Sequence, residues 1–244
     1  MRTRRRIAAS LLLLVVLPFA PGASPPSSAQ DAASLWAVLD SARESLAAAG
    51  AEQADFVQTY VPAGFSTGEE EAGRVAFRLP DCLRWDYDEP YPKSFLLCGE
   101  EVYSWNPEDR RGQVGEVDRE RQPGLDLLLL PVDELSGRYE ASIAPAEDRG
   151  SGEAAGPAPS QAATETGAAG EGRVAVHLEP RAGLAAQTEL TQATLVVDTT
   201  TDRLVEVSYQ DREGNRTTFR LSDYRALEDP GLFEPPEGID WEEG

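Results

Sequence analysis

Between residues 53 and 222, apolar and polar side chains alternate in one short segment after another, and this period of two confines the chain to a sheet. The segments fall at 53–61, 73–79, 82–88, 94–98, 101–106, 112–118, 138–143, 173–179, 191–198, 203–210 and 215–222. Turn residues separate them: Gly64, Gly68, Pro90, Pro92, Gly99, Asn106 with Pro107, Asp202 and Gly214. Strands this short, joined by hairpin-length turns, pair antiparallel, and about eleven of them curl into a barrel or a half-barrel. The expected fold is mainly β (α+β): an open antiparallel half-barrel with short helices covering its concave apolar face.

The helices come from a different period. Leu35, Val38, Leu39, Ala42 and Leu46 fall at i, i+3, i+4, i+7 and i+11, which is one stripe of a helix. Asp31 or Ser34 is the expected cap and Gly50 the expected stop. Residues 123–130 read PGLDLLLL, and Pro131 restarts a short turn ending at Leu135. This is the pattern of two broken helical turns lying over the sheet.

Alternation also assigns faces. Val75, Phe77 and Leu79 point one way, and Arg74, Ala76 and Arg78 the other. Leu83, Trp85 and Tyr87 oppose Cys82, Arg84 and Asp86, and Phe95 and Leu97 continue the apolar side. The candidate ligand-binding surface is therefore Phe77, Leu79, Leu83, Trp85, Phe95 and Leu97, with Leu125, Leu128 and Leu129 on the covering segment. Periodicity alone fits a filled core as well as a cavity.

Cys82 and Cys98 flank the EPYP turn. If partner numbers sum to 180, Cys82 faces Cys98, Arg84 faces Leu96 and Asp86 faces Ser94. Directly opposed residues at non-hydrogen-bonded sites lie about 4.5 Å apart, within disulfide reach. No C-x-x-C is present, and two lone cysteines do not make a zinc site. The expectation is a structural disulfide.

Catalytic motifs are not found. The single histidine, His177, sits mid-strand with no G-x-S-x-G to accompany it. Glu69, Glu70 and Glu71 read as a solvated loop tip. Asp86, Asp88 and Glu89 lack the spacing of a calcium loop. No enzyme activity, cofactor or metal is expected. With 43 acidic against 22 basic residues and a net charge of −21, the chain has no basic footprint for nucleic acid.

The N-terminus predicts destination. Arg2, Arg4, Arg5 and Arg6 precede an apolar run from Ile7 to Ala20, followed by small residues and prolines. The run is short for a membrane span, which needs about 20 residues. Residues 1–29 therefore read as a cleaved secretory signal peptide. No Cys follows the run to carry a lipid anchor. Residues 30–244 read as a single domain. Within it, 146–172 contain no aromatic residue and no Leu, Ile, Val or Met, and are expected to form a disordered insertion.

A resemblance adds to this reading. Phe56-Val57-Gln58 resembles the F-x-Q of the first strand in the LolA family of outer-membrane lipoprotein carriers. Residues 73–91, GRVAFRLPDCLRWDYDEPY, are similar to that family's hallmark hairpin, and 99–107, GEEVYSWNP, to its next one. Residues 195–221 and the LFEPPEGID ending at 232–240 match in style. The resemblance implies an open half-barrel whose helices form a lid and whose concave face binds acyl chains. It implies a monomeric periplasmic chaperone that takes acylated lipoproteins from an inner-membrane ABC transporter to an outer-membrane receptor. On it, Leu83 and Trp85 face the cavity. One position departs: the studied carriers hold the lid with an Arg directly before the hallmark Pro, where this chain has Leu79. Two other functions fit the scaffold: a carrier of another lipid or lipid-linked cargo, and a non-transporting periplasmic lipoprotein sensor.

Overall fold

Antiparallel hairpins build the sheet as the alternation requires. The computed structural model describes residues 28–117, 123–144, 172–227 and 229–244. Twelve strands form one open sheet: β1 (Glu52–Val61), β2 (Glu69–Arg78), β3 (Cys82–Glu89), β4 (Lys93–Cys98), β5 (Glu101–Asn106), β6 (Arg111–Glu116), β7 (Tyr139–Ile143), β8 (Arg173–Pro180), β9 (Leu190–Asp198), β10 (Arg203–Asp211), β11 (Arg216–Ala226) and β12 (Asp240–Glu243). Their order is β12-β6-β5-β4-β3-β2-β1-β11-β10-β9-β8-β7. β11 returns to pair with β1, so the two runs of hairpins join into a continuous surface that does not close. Every neighbouring pair is antiparallel except β12 with β6.

The open sheet agrees with the expectation of about eleven strands and adds β12, which reads DWEE, with one apolar residue and no alternation to reveal it. One sequence expectation needs correction. Glu69, Glu70 and Glu71 are not a loop tip but the start of β2, opposite Tyr60, Thr59 and Gln58 of β1. Glu71 is held there by an ion pair with Lys93 at 2.6 Å. Gly73 is required where β2 meets β3: the register shifts between Ala72 and Gly73, and a Cβ on Gly73 would lie 2.0 Å from the Asp86 carbonyl oxygen.

Three helices accompany the sheet: α1 (Ser28–Ala48), α2 (Pro123–Leu129) and α3 (Val132–Arg138). Leu35, Leu39, Ala42 and Leu46 of the α1 stripe are buried, and Val38 is half-buried. The helix starts ahead of both expected caps, and the Ser34 hydroxyl donates back to the Asp31 carbonyl within the helix at 2.7 Å. Gly50 follows the end of α1 in the left-handed region, φ +79°, with its N–H on the Ala47 carbonyl. None of the described helices is long and apolar enough to cross a membrane. The segment read as a signal peptide, apart from the start of α1, and the insertion at 146–172, apart from Gly172, lie outside the described residues. The flanks of that insertion, β7 and β8, pair directly with each other.

The two faces carry separate cores. On the concave side, Ala54, Phe56, Val75, Phe77, Leu83, Leu97, Val176, Leu178, Leu195 and Val207 pack with the apolar sides of the helices. On the convex side, Ala76, Cys82, Leu96, Trp105 and Phe233 form a smaller core under the C-terminal segment. That segment is fixed by cations reaching up from the sheet. Arg78 lies 4.6 Å from the Phe233 ring centroid, and Arg84 donates to the Leu232 carbonyl while pairing with Asp86 at 2.9 Å. Arg78 and Leu79 thus separate between the two faces, as alternation requires.

Cys82 and Cys98 are bonded across β3 and β4, with Cα atoms 4.2 Å apart, in the register expected from sequence. Closing a loop of this size contributes about 3 kcal/mol. Thiol labelling of the denatured, unreduced protein is expected to find neither cysteine. Stoichiometric labelling of both would sink the assignment.

Candidate functional site

A sheet face this apolar must be covered, and the cover consists of helices with little area of their own. α1 lies over the concave side, with contacts to β2, β7, β9 and β10 and to α3. It is pinned near its C-terminal end. Arg203 of β10 donates to Ser45 of α1 and pairs with Glu52 of β1 at 2.8 Å, both partners being largely buried. Tyr224 closes the same end with a 2.7 Å hydrogen bond to the Leu204 carbonyl, and burial pushes its phenol well above the usual range.

Between the helices and the sheet runs an apolar crevice. Its walls are Leu39, Ala42 and Leu46 of α1, Phe77 and Leu79 of the β2 end, Leu127 and Leu128 of α2, Val132 and Leu135 of α3, and Leu195 and Leu204. They enclose a cavity of about 30 Å³, room for no more than a water molecule or two. The helices are therefore seated, and a ligand larger than water enters only if they move. Arg43 is the one ionisable side chain on these walls.

The seating of α2 rests on that arginine. α2 is a seven-residue helix ended by Pro131, so its last carbonyls have no amide to accept from further along the helix. Arg43 of α1 supplies the donors: one guanidinium nitrogen donates to the Leu128 carbonyl and the other to the Leu129 carbonyl, each at 2.7 Å. A cation at a helix C-terminus also complements the helix dipole. Burial lowers the Arg43 pKa, against the opposing pull of Asp40, so the charge is kept in a place that costs it hydration. Arg43 was not among the residues singled out from sequence. Its signal was present, however: it lies four residues from Leu39, beside the apolar stripe of α1, where a charged side chain is out of place.

The expected lining residues distribute as follows. Phe77, Leu79 and Leu128 line the crevice. Leu83 and Leu97 lie opposite each other on the same face and are fully buried in the concave core, as is Leu129 of the cover. Trp85 is half-buried against that core, and Phe95 stands opposite it on β4, also half-buried. Leu125 belongs to α2, but its side chain lies outside the described residues. Sequence reasoning missed Leu39, Leu46, Leu127, Leu135, Leu195 and Leu204 as walls, because it assigned them only to strands and helices.

The polar candidates serve the sheet. Asp86 accepts from Arg84 and from Ser94, and Asp88 pairs with Arg74 at 3.1 Å. His177 is buried with Nδ1 3.2 Å from the Thr194 hydroxyl. No cluster of metal-ligating side chains occurs among the described residues.

The family model for the outer membrane lipoprotein carrier protein LolA matches residues 48–164. Residues 48–164, just under half of the chain, are thus similar to the LolA family. The match takes in β1–β7, α2 and α3, which include half of the crevice-lining residues and both carbonyls held by Arg43. An outer-membrane lipoprotein carrier protein of Xylella fastidiosa (strain 9a5c) is 30% identical over 91 residues, 37% of this chain and 43% of the relative. That of Xanthomonas campestris pv. campestris (strain B100) is 28% identical over 87 residues, 36% of this chain and 42% of the relative. The alignment thus spans about two fifths of the length of these curated relatives. A LolA superfamily protein from Nitrosomonas europaea overlays with a TM-score of 0.43 at 10% identity, covering 82% of this chain and 97% of that one.

Proposed function

We propose that this protein is a periplasmic lipoprotein carrier. It shelters the acyl chains of a lipoprotein between the concave sheet face and the helices, taking them from an inner-membrane ABC transporter and giving them to an outer-membrane receptor. Residues 1–29 direct its export and are removed, 30–244 act as one unit, and no chemistry is performed on the cargo. The observation that carries the reading is the seam between α1 and α2. An apolar crevice is closed there by one guanidinium on two backbone carbonyls, a contact that can break without disturbing the sheet.

The energetics suit reversible carriage. Each buried methylene contributes about 0.8 kcal/mol, so a sealed pocket around whole acyl chains would hold them too tightly to release. When the helices reseat, Leu127, Leu128 and Leu135 replace acyl contacts with their own, and release is offset by reburial of the crevice walls. Phe77, Leu79, Leu83, Trp85, Phe95 and Leu97 form the acyl surface, with Leu125, Leu128 and Leu129 on the cover.

The test is extraction. The full chain, expressed with its own leader and purified from the periplasm without detergent, should carry acylated protein identifiable by mass spectrometry. Recovery of free lipid with no lipoprotein overturns this reading in favour of another lipid cargo. Recovery of neither, from a folded protein, overturns carriage altogether.

A further inference from the structure

Outside the crevice, along the solvent side of α1, runs a second and wider space of about 700 Å³. Its apolar floor is made by Trp36 of α1, Leu79 at the end of β2 and Val132 of α3. Its rim carries three exposed carboxylates: Asp40, Glu44 and Asp133. None of these side chains forms a hydrogen bond or ion pair with another described residue, although Asp40 lies within the electrostatic reach of Arg43. Arg43, the cation in this groove, is turned away to the Leu128 and Leu129 carbonyls. Arg43, Leu79 and Val132 line both spaces, so the groove and the crevice share a wall.

We propose that this groove receives the polypeptide stretch that follows the acylated end of a cargo, and that it favours a stretch with lysine or arginine among apolar side chains. The inference rests on the carrier reading above, and it adds a site for the protein part of the cargo. An acyl chain lodged in the crevice and leaving past Arg43 leads whatever is attached to it into the groove. Apolar side chains of that stretch lie on Trp36, Leu79 and Val132. Its cations meet Asp40, Glu44 and Asp133 on the rim. Exposed pairs of this kind are individually weak and are screened by salt. Together they set a preference among cargoes rather than the affinity for acyl chains.

The experiment compares three probes on the full exported chain: palmitate, a palmitoylated lysine-rich peptide, and the same peptide with glutamate in place of lysine. At low salt the lysine peptide should bind about fivefold to tenfold tighter than the glutamate peptide, the sum of a few weak pairs. In the D40N/E44Q/D133N variant the preference should disappear while palmitate affinity stays as in the parent protein. Raising salt on the parent protein should erode the preference in the same way without any substitution. Equal binding of the two peptides, or a preference that survives in the variant, overturns the groove and leaves the carrier reading standing if palmitate binds. Failure of all three probes overturns the carrier reading itself.

Discussion

Replacing Arg43 with methionine is expected to loosen α2 from α1 while the sheet stays folded. The substitution keeps most of the aliphatic stem and removes the two donors to Leu128 and Leu129. Hydrogen bonds to a charged group are worth about 1.5–3 kcal/mol each, and two that share one guanidinium are not independent. Part of that gain already offsets the burial that lowers the Arg43 pKa. A net loss of about 1.5–3 kcal/mol raises the open population about tenfold to a hundredfold. The Leu128 and Leu129 carbonyls then turn to water, and the crevice walls become accessible. Uptake of an apolar fluorescent dye and hydrogen exchange across 123–129 should both rise, while near-ultraviolet circular dichroism of the sheet is retained. Unchanged dye uptake and exchange would show that apolar packing alone seats α2. Adding Leu79→Arg to Arg43→Met supplies a new guanidinium from the opposite wall of the same crevice, since Leu79 and Leu128 both line it. Partial recovery of the closed state in that double variant is the expected result.

This contact also shows where reading the sequence stops. Period-two alternation is a strictly local property, and β1–β11 were legible from it because every hairpin there buries one face. The pairing of Cys82 with Cys98 followed from the same register, with no long-range information needed. β12 was not legible, since it is held by a parallel pairing to β6 and by Trp241 packing on Tyr103 and Trp105, all remote in sequence. Glu69, Glu70 and Glu71 failed for a related reason. Three successive carboxylates look like a loop until β1 is seen to run alongside them and Lys93 to pair with Glu71.

The site divides along the same line. Alternation identified the apolar face of β2, β3 and β4, and with it Phe77, Leu83 and Leu97. It could not decide which of these residues meet open space and which meet other side chains, because depth depends on how the three helices sit. Leu83 and Leu97 lie at the bottom of a filled core, whereas Leu79 lies at its edge. The guanidinium that meets the α2 carbonyls comes from α1, eighty-five residues before Leu128.

That difference in depth fixes what charge substitutions will do. Leu83→Glu places a carboxylate at a position with 0% exposure, opposite Leu97 and beside Phe77. Its described neighbours across the strands, Phe77 and Leu97, are apolar, so the charge is left unpaired there or the acid is protonated at a cost. The expected loss is about 4 kcal/mol or more, a large share of the stability of a domain this size. The melting temperature should fall by about 10 °C or more, and acyl binding should vanish with the fold. Leu79→Glu separates the two effects. Leu79 is half-buried and borders the outer groove as well as the crevice, so a glutamate there can turn its carboxylate to water. Its melting temperature should stay within a few degrees of the parent protein. Its affinity for palmitate should nevertheless drop about tenfold or more, because an entering chain must either desolvate the carboxylate or forgo that wall. Thermal melts and palmitate titrations on the two variants check both statements. A Leu79→Glu protein that melts normally and binds palmitate normally would remove this end of the crevice from the acyl site. A Leu83→Glu protein that melts normally would mean that the sheet face opens to water more readily than its packing indicates.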